Sequence, residues 1–293
     1  MKRFLSMQDT LYINVNGRLM DLSVPRVMGI LNVTPDSFFA ASRTFSETEV
    51  ARRAEQLLAD GADIIDIGGY STRPGAAEVS PGEEWARLSL GLKAVRAVSA
   101  EAVVSVDTFR ADVARRCVEE YGVAIVNDIS GGELDADMFP TVAALGVPYI
   151  LMHMQGTPQT MQQAPHYDDV LREVILYLAR KVQQLRELGV RDIILDPGFG
   201  FGKTVDDNYR LLACLDELAL FGLPVLAGIS RKSMICRVLD ITPDQALNGT
   251  TVLNTLCLTK GARILRVHDV RPAVEAVRLF GAMQAQSSFT TNH

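Results

Sequence analysis

The chain is 293 residues long, 48% hydrophobic and 22% charged, a balance that supplies enough apolar side chain for a large core and excludes global disorder. The length exceeds that of a usual single domain but is ordinary for an α/β barrel around one core. A formal net charge of −6 excludes nonspecific attraction to nucleic-acid phosphates, so an anion site has to be a local cluster of basic groups.

The first ten residues, MKRFLSMQDT, lack the apolar stretch of a signal peptide, and no later apolar run approaches the roughly 20 residues that cross a bilayer. Cys117, Cys214, Cys236 and Cys257 show no C-x-x-C pairing and read as free thiols of a soluble, cytoplasmic protein. His153, His166, His268 and His293 show no metal-ligand spacing, which removes a zinc reading. LYINVNGRLM then alternates about Asn16-Gly17, a two-residue hairpin signal, so residues 1–25 are expected to form a hairpin extension that plugs or flanks the bottom of the following domain.

From residue 26 onward, short β-branched runs recur, each ending in polar or Gly residues and each followed by a longer amphipathic stretch. They are Arg26–Asn32 (RVMGILN) and residues 62–68, 103–108, 123–128, 147–153, 192–197, 224–230 and 262–268. Among the intervening helices, 47–60 stops at Gly61, 82–99 starts after Pro81, and 168–188 stops at Gly189. About eight strand–helix units with no linker between them predict a (β/α)₈ TIM barrel over residues 26–282, with the N-terminal β-hairpin before it and a polar, frayed tail at 283–293. The connections 33–46 and 69–81 far exceed the usual median of about 4–6 residues and read as lids.

Polar side chains gather at the C-terminal ends of these strands: Asn32, Asp66, Asp107, Asn127, Asp196, Ser230 with Lys232, and Arg266 with His268. A single strand-end Asp or Asn often only caps a helix or anchors a turn, but several converging on one mouth need a ligand, a metal or one another to satisfy them. Arg73, Lys203, Lys232, Arg266 and His268 concentrate positive charge there, which points to an anion such as phosphate. Arg266 and His268 flank Val267, so strand geometry turns both the same way; the alternative is a structural bridge from Arg266 to Asp66 or Asp269. The segment GFGFGKT beginning at Gly198 has three residues between its first and last glycines where a phosphate-cradling P-loop needs four, so its glycines are read as allowing close backbone approach to a flat ligand, with Phe201 as an aromatic wall. Asp107, Asn127 and Asp196 suit the edge of a guanine-like or pterin-like ring, whose amino group and ring N–H offer paired donors to a carboxylate.

The segments at 28–38 (MGILNVTPDSF), 61–75 (GADIIDIGGYSTRPG), 105–110 (SVDTFR), 126–132 (VNDISGG), 194–203 (ILDPGFGFGK), 228–233 (GISRKS) and 263–269 (RILRVHD) together resemble the dihydropteroate synthase family, over about 27–279. The resemblance implies condensation of 6-hydroxymethyl-7,8-dihydropterin diphosphate with 4-aminobenzoate, Mg²⁺ as cofactor, and a homodimer. It assigns Asp107, Asn127, Asp196, Phe201 and Lys232 to the pterin; Asn32, Arg73, Arg266 and His268 to the diphosphate, with Asn32 on the magnesium; and Thr72, Arg73, Pro74, Lys232 and Ser233 to aminobenzoate. Asp196, Lys232, Arg266 and His268 are the implied catalytic group. The family pattern continues S-F-S-D-G-G in the first lid, whereas here Ser37-Phe38 is followed by Phe39 and Ala40, which removes an acid. Two rivals share the barrel and pocket: a pterin-dependent methyltransferase, which has little use for a diphosphate clamp, and a noncatalytic pterin-binding protein.

Overall fold

A computed structural model describes residues 11–34, 47–71, 78–157, 160–161 and 165–287. The hairpin comes first, as β1 (Tyr12–Val15) and β2 (Arg18–Asp21), with Val15 opposite Arg18. Asn16 and Gly17 both take positive φ, 52° and 80°, the two-residue turn whose twist matches the flanking strands.

Eight parallel strands follow, β3 (Arg26–Asn32), β4 (Ile64–Gly68), β5 (Val104–Asp107), β6 (Ile125–Asp128), β7 (Tyr149–Met152), β8 (Ile193–Asp196), β9 (Leu226–Ala227) and β10 (Ile264–Val267). Between and after them run α1 (Glu47–Ala59), α2 (Pro81–Val98), α3 (Ala111–Tyr121), α4 (Met138–Leu145), α5 (Val170–Glu187), α6 (Val205–Ala213), α7 (Ser233–Leu239), α8 (Leu247–Thr259) and α9 (Val270–Ser287). The ladder order is β8-β7-β6-β5-β4-β3-β10-β9, and a single parallel bridge between Leu195 and Val225 joins its two ends into a barrel. All eight expected strands are present, within a few residues of their predicted limits.

Local chemistry explains the helix limits. Ser80 accepts from the Glu83 N–H and Pro81 occupies the first turn of α2, while Asp169 caps α5 through the Arg172 N–H. Gly61 (φ 97°) and Gly189 (φ 88°) end α1 and α5 in left-handed backbone, where an L side chain is strained. The last helix runs on to Ser287, past the expected end of the barrel at 282; residues 288–293 lie outside the described set.

The period of two along each strand divides the barrel into layers. At the bottom, Met28, Ile64, Ile125, Ile150, Ile194, Leu226 and Ile264 point inward and pack with Ile13, Val15 and Leu22 of the hairpin region. Of the two expected placements, plugging or flanking, the hairpin takes the first and plugs the barrel floor. Two residues farther along the strands the interior turns polar, with Asp66, Ser105, Asn127, Asp196 and Arg266. The residues between, such as Leu31, Ile65, Val106, Leu151 and Val267, face the helices in the larger outer core. An apolar floor beneath this polar upper layer places these polar side chains at one end of the barrel.

Candidate active site

A cavity of about 1000 Å³ opens at that mouth, lined among others by Asn32, Asp107, Phe201, Lys232, Arg266 and His268. Arg266 on β10 lies at its base. Its Nε donates to Asp66 Oδ2 at 2.6 Å and its Nη2 to Asp107 Oδ2 at 2.6 Å, and Asn127 Nδ2 donates to the same Asp66 oxygen at 3.1 Å. One guanidinium thus ties together strands β4, β5 and β10, with β6 joined through the amide. Asp66 is fully buried, and among the described residues its Oδ1 has no hydrogen-bond partner.

Burial sets the electrostatics of this layer. It pushes the Asp107 carboxyl up to about 7, with Arg266 pulling down and Asp66 and Glu84 pushing further up. Asp196 at the end of β8 is also raised by burial, against the pull of Lys232 and a 2.7 Å hydrogen bond from the Gly198 N–H to its Oδ1. Burial disfavours the charge on Arg266, but Asp66 and Asp107 outweigh it and hold the guanidinium firmly protonated. Lys232, at the N-cap of α7, is drawn down to about 8 by burial while Asp196 holds it up; its Nζ donates to Phe199 O and lies 4.3 Å from the centroid of the Phe201 ring.

The glycine segment between β8 and α6 owes its shape to carbonyls rather than to a phosphate cradle. Gly198, Gly200 and Gly202 all have positive φ, 71°, 79° and 61°, which turns successive carbonyls to different sides. Gly198 O and Phe201 O accept from Lys203 Nζ, at 2.9 and 3.1 Å, while Phe199 O faces Lys232. The amides are occupied as well: Gly198 N donates to Asp196 and Gly200 N to Asn208 Oδ1 at 2.7 Å. A P-loop needs those N–H groups free for phosphate, so the structure adds a physical reason to the spacing that argues against one.

Lys203 corrects the expected cluster of mouth cations. It is buried, and its Nζ approaches His153 Nδ1 at 3.0 Å, so its charge organises the loop rather than an anion. Burial lowers Lys203 to about 7 and, with Lys203 beside it, His153 to about 2, which leaves the imidazole neutral and accepting. Arg266 likewise proves to be bridged, to Asp66 as the alternative reading allowed but to Asp107 rather than Asp269, which Arg231 holds by two contacts of 2.8 Å.

Of the remaining candidates, His268 lies just beyond β10 on the same side as Arg266, with Nδ1 3.1 Å from Ser230 Oγ. Asn32 ends β3 and Ser233 opens α7, both on the cavity wall. Thr72, Arg73, Pro74 and the first-lid residues Asp36 to Ala40 lie outside the described residues. Sequence reading missed Arg53 on α1 and Arg231, both on the cavity wall. The signal for Arg53 was available: Val50, Ala54 and Leu57 form the buried stripe of α1, and position 53 belongs to that stripe by helical spacing yet carries a cation.

No group of three or more His, Cys, Asp or Glu side chains able to cage a metal occurs among the described residues. Mg²⁺ does not need one when its substrate brings phosphate oxygens, because it keeps several waters and takes only one or two protein oxygens. The half-buried amide of Asn32 is the donor type that fits such an ion.

The pterin-binding enzyme family profile matches residues 28–268. A dihydropteroate synthase of Escherichia coli K12 is 45% identical over 272 residues, covering 91% of this chain and 94% of that protein. The crystal structure of the Yersinia pestis dihydropteroate synthase in a sulfonamide drug complex superposes with TM-score 0.87 at 39% identity, over 94% of this chain and 100% of that one. The Xanthomonas albilineans dihydropteroate synthase with 4-aminobenzoic acid superposes equally well, with TM-score 0.87 and 39% identity over 94% and 99% of the two chains. With the barrel, the polar mouth and these similarities over nearly its whole length, the chain belongs to the dihydropteroate synthases of the pterin-binding enzyme family.

Proposed function

We propose that the protein condenses 6-hydroxymethyl-7,8-dihydropterin diphosphate with 4-aminobenzoate to give 7,8-dihydropteroate and pyrophosphate. The observation that carries this reading is the single mouth at which Asp107, Asn127, Asp196 and Lys232 adjoin Asn32, Arg266 and His268, supported by relatives of the same activity. In the reaction the bond from the pterin methylene carbon to the diphosphate oxygen breaks, the aminobenzoate nitrogen bonds to that carbon, and one amine proton is released.

In this reading, Asp196 and Asp107 present carboxylates to the ring's amino and N–H donors, Asn127 completes the edge, and Phe201 packs against the ring face. Lys232 donates to ring acceptors, and Asp196 offsets positive charge as the methylene carbon loses its leaving group. His268 and Arg266 stabilise the departing diphosphate. Asn32 would hold Mg²⁺, which when bound neutralises phosphate charge. Ser233, with Thr72, Arg73 and Pro74, is proposed for aminobenzoate. The bound 4-aminobenzoic acid of the Xanthomonas relative supports that acceptor.

The remaining proposals concern setting. Residues 26–282, with the rest of α9 to Ser287, act as one barrel domain after a hairpin extension (1–25), and the protein works in the cytoplasm. A homodimer is supported by exposed Val252 and Leu256 on α8 and exposed Leu279 and Met283 on α9. No helix among the described residues is long and apolar enough to cross a membrane.

Purified protein given both substrates and Mg²⁺ is expected to release pyrophosphate and dihydropteroate in equal amounts. Methyl transfer to a thiol or corrinoid acceptor, or pterin binding without turnover, would replace this assignment with one of its rivals.

A further inference from the structure

The cavity wall carries six Lys and Arg side chains among the described residues, Arg53, Lys203, Arg231, Lys232, Arg237 and Arg266, and most of their charge is already committed. Arg266 is held by two carboxylates and Arg231 by the two oxygens of Asp269. Lys203 is wrapped in backbone carbonyls, and Lys232 faces Phe199 O and the field of Asp196. Arg237 is exposed one helical turn beyond Ser233, on the α7 side of the mouth. A departing diphosphate carries several negative charges, and bridged Arg266 answers them with a charge that two acids already balance.

Arg53 differs from the four committed cations and, unlike exposed Arg237, is half-buried. It reaches the mouth from α1, and its Nη2 donates to the backbone carbonyl of His268 at 2.8 Å. Among the described residues this is its only hydrogen bond, and it makes no direct ion pair: Asp269 and Asp60 act on its charge from beyond contact distance. Among the described residues the other four guanidinium N–H donors have no protein partner, and the group sits beside the imidazole already placed on the diphosphate. We propose that Arg53 is a direct cationic contact for the diphosphate, gripping its phosphate oxygens beside His268 as pyrophosphate separates. The proposal rests on the synthase reading above for the identity of the anion. Partial burial strengthens such a contact, since half-desolvated Arg53 already loses hydration that a phosphate would replace.

A structural role through His268 is separable from an electrostatic one. Glutamine at position 53 retains an N–H donor for the His268 carbonyl but carries no charge, whereas lysine retains the charge. The test is calorimetric titration of wild type, Arg53→Ala, Arg53→Gln and Arg53→Lys with inorganic pyrophosphate plus Mg²⁺, and separately with 6-hydroxymethylpterin, which lacks phosphate. Arg53→Ala and Arg53→Gln are expected to weaken pyrophosphate binding by about tenfold or more, while Arg53→Lys recovers most of the loss. Binding of the unphosphorylated pterin is expected to stay within about twofold of wild type. Wild-type pyrophosphate affinity in the glutamine variant, or an equal loss of both ligands, overturns the proposal. If wild type makes dihydropteroate but the glutamine variant binds pyrophosphate normally, only the Arg53 assignment falls. If wild type binds pyrophosphate through Arg53 but makes no dihydropteroate, the synthase reading falls and the anion contact stands.

Discussion

At the scale of single residues, the polar strand tips were legible because side chains alternate strictly along a strand, so an Asp or Asn two positions beyond a buried Ile must enter the barrel. What each tip touches was not legible. The bonds from Arg266 to Asp66 and Asp107 join residues 200 and 159 positions apart, and no local pattern encodes such a pairing. For a related reason the charge of Lys203 suggests an anion that is not its partner: its buried amine is met by backbone carbonyls instead. Lys232 yields a prediction at this scale. Burial draws it down to about 8, so its positive charge is present below that pH and lost above it. The kcat/KM for the pterin substrate is expected to fall along an alkaline limb near 8, and Lys232→Arg to move that limb upward; an unmoved limb assigns it to another group. Stability responds in the opposite sense. Between about 8 and the ordinary 10.5 the unfolded chain binds a proton that the folded chain has lost, so this residue's contribution to folding becomes more favourable as pH rises across the window.

At the scale of elements, the strands were readable from β-branched runs and the helix ends from Gly61, Gly189, Ser80 and Pro81, each with a local physical cause. The shortest strand was the least well drawn. The sequence predicts an extended run over 224–230, but the strand is only Leu226 and Ala227, with Val225 in the single bridge to Leu195, and the chain beyond Gly228 bends into the turn that carries Arg231 at φ 56°. The glycine segment after β8 gives a contrast within one residue type. At Gly198 an added Cβ would collide with the His153 carbonyl, whereas at Gly222, also at positive φ, nothing lies within 4 Å. Gly222→Ala is expected to cost about 1 kcal/mol, the strain of left-handed backbone alone, and Gly198→Ala considerably more because the loop must move. Urea unfolding of both variants checks this; equal costs would mean that the loop yields freely to a methyl group.

At the scale of the whole molecule, the hairpin is part of the barrel's core rather than an appendage. Its turn signal and alternation were plain in the sequence, but its docking depends on seven inward side chains drawn from seven strands, a surface that exists only after closure. Ile13 is 1% exposed in that layer. Ile13→Ala is therefore expected to lower global stability by about 2–5 kcal/mol. The fluorescence of the single tryptophan, Trp85 in the first half of α2, is expected to report the same unfolding midpoint as circular dichroism. A separate early transition confined to the hairpin would show that floor and barrel fold independently.

The closure itself has an asymmetric consequence. Where β8 meets β9 the ring is fastened by one bridge and the Pro224 carbonyl, so this clasp is its thinnest join. Asp196 stands on one side of the clasp and Lys232 on the other, and their attraction spans it. A ring-shaped ligand touching both would bolt the barrel shut at its weakest point, coupling occupancy of the pocket to the mechanical integrity of the whole cylinder.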